Sequence, residues 1–370
     1  MKRVLIIGGG LAGLISSIVV CRAGIACRVI EKKVFPFHRV CGEYVSNEVV
    51  PFLSAAGLFP HQFNPPNICK FQLSAVSGKK ESMPLDCGGF GISRYTFDNF
   101  LYEQAKAAGV EFFLNEEVDA VQFTNEVFTI KTNTRALEAD VVIGSFGKRS
   151  KLDHYLNRRF ISRRSPYVGV KYHIKTDHPD DMIALHNFRG GYCGMSNIED
   201  GKTTLCYLAH RDSLREHGSI ASLEQEVLFQ NPLIRSVFTN STFLFNKPEV
   251  INEISFETKS AVEDHILMTG DAAGMIAPLC GNGMSMAIHA GKIAADLVVK
   301  FVTTNDMTRA QLEEQYSDAW NRQFKRRLWQ GRQIQKLFGN AIASNIAVNL
   351  AINVRPIANA IMRSTHGQPF

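Results

Sequence analysis

Tryptophan is scarce in this chain, two in 370 residues, and both sit near the C-terminal end at 320 and 329. Cysteine occurs eight times but never as C-x-x-C, so no zinc spacing, redox pair or disulfide framework can be read from it, no metal is expected, and reduced thiols in a cytoplasmic setting are. No apolar run reaches the roughly 18 residues a bilayer requires; the best candidate, 341–354, is broken by Ser344, Asn345 and Asn349. Strong charge is missing too. A net charge of +6 is too small an excess to argue for nucleic acid. Repeats and low-complexity stretches are absent. What remains is 45% hydrophobic residues, enough for a folded core, in a chain long enough for two packed units.

The first twenty residues offer two readings. Lys2-Arg3, an apolar stretch to Val20 and then Cys21 have the outline of a secretory leader. Gly8, Gly10 and Gly13 interrupt that stretch, and the strand-like Cys27-Arg28-Val29-Ile30-Glu31 follows, which a nucleotide-binding unit requires and a leader does not. Val4 to Ile7 reads as a buried parallel strand and Leu11 to Ala23 as a helix. Gly8-Gly9-Gly10-Leu11-Ala12-Gly13 between them is G-x-G-x-x-G. The first glycine permits the turn, the second lets backbone approach a pyrophosphate, and the third lets helix and strand pack. The helix N-terminus presents free N–H groups to the phosphates, and Glu31 at the end of the second strand suits the ribose hydroxyls of an adenosine. An acid there favours FAD or NAD over NADP.

The far end of the chain separates those two. Thr269-Gly270-Asp271-Ala272-Ala273-Gly274 follows a predicted strand, and Pro278-Leu279-Cys280-Gly281-Asn282-Gly283-Met284 opens a helix. A second glycine-rich junction is what a flavin needs, being held at its ribityl chain and again at its ring. Asp271 suits the ribityl or pyrophosphate side, and the N–H groups from Gly281 to Met284 suit the ring edge that gathers charge on reduction. A plain helix cap is the alternative, but it does not require glycine at 270, 274, 281 and 283.

Between these ends, 160–260 reads as short strands without a phosphate loop: Val168–Ile174, Ile183–Phe188, Tyr192–Asn197 and Thr203–Leu208. Earlier, Thr96–Ala108 reads as a helix stopped by Gly109, and Val118–Phe123, Val127–Thr132 and Leu137–Ile143 as a meander. From Thr308 onward the pattern is helical, with Arg322, Lys325, Arg326, Arg327, Arg332 and Lys336 in its middle.

Taken together, the two glycine regions resemble the para-hydroxybenzoate hydroxylase superfamily of FAD-dependent oxidoreductases. Arg39-Val40-Cys41-Gly42-Glu43, Ser93-Arg94-x-x-Phe97-Asp98 and Asp140 to Ser150 resemble further segments of that family. The resemblance implies an α/β fold, with a Rossmann-type FAD-binding domain (1–70, 94–155 and 260–300) interrupted by a mostly antiparallel β-sheet substrate domain (71–93 and 156–259) and followed by a C-terminal helical region (301–370). It implies FAD contacts at Gly8, Gly10, Leu11, Ala12, Gly13, Glu31, Lys32, Arg39, Cys41, Gly42, Arg94, Gly147, Gly270, Asp271, Pro278, Gly281, Asn282, Gly283 and Met284. Two departures stand out. Phe146 replaces the acid of the family's Asp-Gly, which speaks against NAD(P)H as a direct reductant and for a separate electron donor. The run from Arg39 to Gly42 and the 274–284 loop are most similar to the geranylgeranyl reductase branch, yet that branch's Gly-Tyr-x-Trp-x-Phe-Pro strand appears only as Gly191-Tyr192-Cys193-Gly194-Met195-Ser196-Asn197. Flavin halogenases carry Trp-x-Trp, which this chain lacks.

The expected function is therefore FAD-dependent oxidation or reduction of an apolar small molecule. Hydroxylation of an aromatic is slightly favoured, double-bond reduction in a prenyl lipid is the alternative, and a non-catalytic flavin carrier is the third reading. Tyr172, Phe188, Tyr192 and Met195 are expected to line the substrate, and Cys41 and Asn282 are the weak catalytic candidates. The basic helix around 322–336 reads as docked on the body or as a peripheral membrane contact.

Overall fold

A computed structural model describes residues 2–335, except 163, 164, 253 and 305, together with 366–370. The apolar stretch 341–354, and Lys336, lie outside the described residues.

Four short apolar runs, Val4–Ile7, Cys27–Glu31, Val141–Gly144 and Ile266–Met268, carry branched side chains on both faces and pair in parallel. Glu111–Leu114 adds a further parallel edge beside Cys27–Glu31. The Leu11–Arg22 helix covers one side and is buried around most of its circumference, because the long Gly283–Thr303 helix packs across it. Small residues set that approach: a Cβ at Gly291 would lie 2.5 Å from the Ala12 carbonyl oxygen.

The expected Leu137–Ile143 strand is two strands. Ala136–Ala139 closes a three-stranded meander, and Val141–Gly144 joins the parallel sheet. Asp140 makes the break, since its carboxylate accepts the Arg3 backbone N–H at 2.6 Å and its carbonyl accepts Arg309 at 2.8 Å.

The second large sheet has nine strands among the described residues and is antiparallel except where Met182–Phe188 runs parallel to Asn67–Ser74. The short Tyr44–Ser46 strand, within the segment expected to bind nucleotide, pairs at its edge with Lys80–Gly91. One face of this sheet packs on the helices Arg211–His217, Ile220–Glu226 and Pro232–Asn240, which the strand-rich reading of 160–260 missed. Ser219 caps the second of them, and Asn231 caps the third, which Pro232 opens. The opposite face looks toward the nucleotide-type sheet across a cavity.

Candidate active site

The glycine turn places backbone where a side chain would not fit. Gly8 has φ +103°, and a Cβ there would sit 2.4 Å from the Ser145 carbonyl oxygen. A Cβ at Gly13 would lie 2.0 Å from the Gly8 oxygen, so this residue closes helix onto strand and does not itself line the cavity. Gly10 faces open space, with nothing nearer than an Arg94 nitrogen at 4.0 Å. Glu31 accepts the Gly9 N–H at 2.8 Å and the Lys33 N–H at 3.0 Å.

Arginine charge gathers beside this turn. Asp98 is buried, and Arg94 grips it with Nε and Nη2, both at 2.7 Å, while Arg39 Nε reaches it at 3.1 Å. One carboxylate thus serves two guanidiniums. The Arg39 Nη2 group is buried without a hydrogen-bond partner among the described residues, with Glu31 at 3.6 Å. A buried unpaired donor costs about 1–3 kcal/mol, and an anionic ligand would satisfy it. A second sheet positions Arg94: Glu199 accepts the Ser93 N–H at 2.7 Å and the Thr96 hydroxyl at 2.8 Å, fixing the start of the Arg94–Ala107 helix.

Glu43 is the residue the sequence pattern did not single out. It is fully buried with φ +54°, lines the cavity, and joins three segments. Its carboxylate accepts the Arg94 N–H at 2.8 Å, His173 Nε2 at 2.6 Å and the ammonium of Lys171. Burial by itself pushes this carboxyl up, but Lys171 and His173 more than reverse that and hold it at about 2. Lys171, itself wholly buried, also donates to the Arg39 carbonyl at 3.1 Å. Nothing in the sequence pattern marks these partners, because a lysine and a histidine two apart on a strand share one face only once the sheet is formed.

At the other end, the loop after Ile266–Met268 is held by its carbonyls. Lys259 Nζ donates to the Asp271 oxygen at 2.7 Å and to Lys148 at 2.8 Å, and Arg158 donates to the Ala272 oxygen at 2.9 Å. Burial lowers the Lys259 amine to about 8. Asp271 stands at the cavity wall, where removal from bulk water pushes its carboxyl up.

The two glycine regions do meet. Gly8, Gly10, Leu11, Ala12, Glu31, Lys32, Arg39, Cys41, Gly42, Arg94, Gly147, Gly270, Asp271, Pro278, Gly281, Gly283 and Met284 all line one cavity of about 320 Å³. Asn282 does not: it is fully buried at the start of the Gly283–Thr303 helix. Tyr192 lines the same cavity, and Met195 reaches it from the core cluster that also holds Tyr172 and Phe188, neither of which lines it. The period of two decides this, since Tyr172 shares its face with Val170 and Ile174 and donates its hydroxyl to Glu224 at 2.9 Å. Cys41 reaches the wall; its enclosed position pushes the thiol up, and its sulfur accepts the Glu43 N–H at 3.4 Å. Cys280 is buried under the Arg326–Gln335 helix and raised to about 12 by burial. His289 packs face to face with Phe370 at 3.7 Å. Phe146 lines the cavity where the resemblance leads one to expect an acid.

The chain belongs to the FAD binding domain family, whose model matches residues 1–318. It is an FAD-dependent oxidoreductase of the superfamily expected from its motifs, and its cofactor is FAD. The cradle suits that group: backbone is open at Gly10, and the Arg39 Nη2 group at the same cavity has no hydrogen-bond partner among the described residues. A digeranylgeranylglycerophospholipid reductase of Methanopyrus kandleri is 24% identical over 352 residues, covering 90% of this chain and 86% of the relative. A geranylgeranyl bacteriochlorophyll reductase-like protein of Thermoplasma acidophilum has the same fold, with TM-score 0.77, 17% identity and 98% and 95% of the two chains covered. The flavin-dependent halogenase CmlS shares the fold at TM-score 0.76 and 19% identity; the match takes in 90% of this chain but only 63% of that one.

Proposed function

We propose that this protein reduces carbon–carbon double bonds in a prenyl-chain lipid. The observation that carries the reading is the cavity's second half. Away from the arginines it is walled by Phe71, Ile183, Leu185, Leu208, Ile251 and Ile254, a surface for a hydrocarbon chain. Hydroxylation, slightly favoured by the sequence, loses ground here, because activating a phenol calls for a base beside it and these six side chains offer none. The similarity to the Methanopyrus kandleri reductase supports the same choice.

In this reading the Gly8–Gly13 turn, Glu31, Arg39 and Arg94 hold the adenosine and pyrophosphate, and the Gly270–Asp271 and Pro278–Met284 segments hold the ribityl chain and ring. Bound FAD, once reduced, supplies a hydride equivalent. The protein must hold the chain still, keep water out and supply a proton. We assign the proton to Tyr192 because it lines the cavity; burial pushes its phenol up, which makes it a weaker acid than a free tyrosine. A hydride and a proton then add across the double bond, and the electrons come from a separate donor, in keeping with Phe146 at the wall.

The test is anaerobic incubation of chemically reduced enzyme with a geranylgeranyl glycerolipid, read by mass spectrometry. Each reduced bond adds the mass of H₂ as the flavin reoxidises. No mass gain, together with a transient C4a-type absorbance and a hydroxylated phenol when oxygen is admitted, sinks the reading in favour of hydroxylation.

A further inference from the structure

The C-terminal helical stretch carries a feature that the cavity does not use. From Asn321 to Gln335 the chain contains no acidic residue and five cations. Arg327 turns inward and pairs with buried Glu48 at 3.0 Å. Arg322, Lys325 and Arg326 are exposed and make no hydrogen bond or ion pair among the described residues. Trp329 is 56% exposed, whereas Trp320 is 4% exposed. Positions 322, 325, 326 and 329 follow the spacing that puts residues on one side of a helix, so three free cations and an indole form a single outward stripe. The opposite side is fully committed: Phe324 and Leu328 are buried, and a Cβ at Gly331 would lie 3.2 Å from Ile276 and 3.4 Å from Cys280. The stripe therefore rides on the loop whose Ile276, Pro278 and Leu279 line the cavity.

We propose that this stripe docks on the surface of an anionic lipid bilayer. Uncompensated Lys and Arg supply the attraction to acidic headgroups, and an exposed indole suits the boundary between headgroup and acyl chain. An acidic protein would meet the cations equally well but gives no reason for a solvent-facing tryptophan among them. Docking here brings the ring-loop side of the cavity next to a source of apolar substrate. The surface does not depend on the reaction: vesicle binding stands even if the cavity proves to take a soluble aromatic.

The test uses the full-length FAD-loaded protein with phosphatidylcholine vesicles, with and without phosphatidylglycerol. We expect co-sedimentation only with the anionic vesicles, weakened by added salt, and a blue shift of tryptophan emission that reports Trp329 because Trp320 is buried. At about 1 kcal/mol per basic residue, the combined Arg322→Gln, Lys325→Gln and Arg326→Gln variant should bind about 100-fold more weakly while keeping its flavin and melting temperature. Arg322→Lys with Arg326→Lys should keep binding, which separates charge from any loss of folding. Equal binding by the wild type and the triple variant, equal binding to neutral vesicles, or no binding to anionic ones overturns the proposal.

Discussion

Single residues show how little tolerance the site has. A side chain at Gly13 would stand 2.0 Å from the Gly8 carbonyl oxygen, a contact that only a backbone shift can relieve. Gly13→Val should therefore yield protein without bound flavin, seen as loss of the yellow absorbance after purification and failed reconstitution. Glu43 makes a different kind of demand, since it neutralises a lysine that has no access to water. Breaking a buried pair from one side costs about 3–5 kcal/mol, so Glu43→Gln should lower the melting temperature clearly. The pH dependence has a definite sign. The carboxyl is held at about 2 against an ordinary 4.5, so its stabilising contribution is complete above about 4.5 and is lost as pH falls toward 2. The stability profile of Glu43→Gln should be flatter than the wild type's across that window, as chemical denaturation at stepped pH would read.

Elements rather than residues set the ring-side geometry. The loop from Gly270 to Ala272 is too short to hold itself, and Lys259 and Arg158 fix it by its carbonyls. Lys259→Met keeps the apolar stem and removes both hydrogen bonds; a loss near 1.4 kcal/mol corresponds to about tenfold weaker FAD binding, measurable by flavin fluorescence titration. Unchanged affinity would mean the loop is fixed by packing alone. At this scale the sequence is legible where periodicity is strong and silent where partners decide. Val4–Ile7, Leu11–Arg22 and the strands of the central region follow from their patterns. The three helices between 211 and 240 were hidden because each is only seven to nine residues long, too short for a helical repeat to stand out. Asp140 divides one apolar run between two sheets through contacts with Arg3 and Arg309, neither near it in sequence.

For the whole molecule, the decisive relation is between two sheets facing one cavity. Glu43, held by Lys171, accepts the Arg94 N–H, and Glu199 accepts the Ser93 N–H, so the start of the Arg94–Ala107 helix is tied to the nine-stranded sheet. Leu208→Trp, from the apolar wall, should fill the far half without touching the glycine cradle. The expected outcome is protein that binds FAD normally but turns over long prenyl chains at least tenfold more slowly than short ones. A uniform loss of flavin would show that the two halves are not separable.

The sequence alone determined the glycine turn we propose as the nucleotide cradle, because phosphates are gripped by backbone, and the glycines that free the backbone are local and ordered along the chain. It marked the second glycine segment for the same reason. Tertiary structure decided which aromatics face the cavity: Tyr192 lines it and Tyr172 does not, since a strand's two faces look alike until another layer covers one of them. It also decided the charge network around Glu43, whose partners come from one strand more than a hundred residues away and acquire their meaning only when burial removes water from between them.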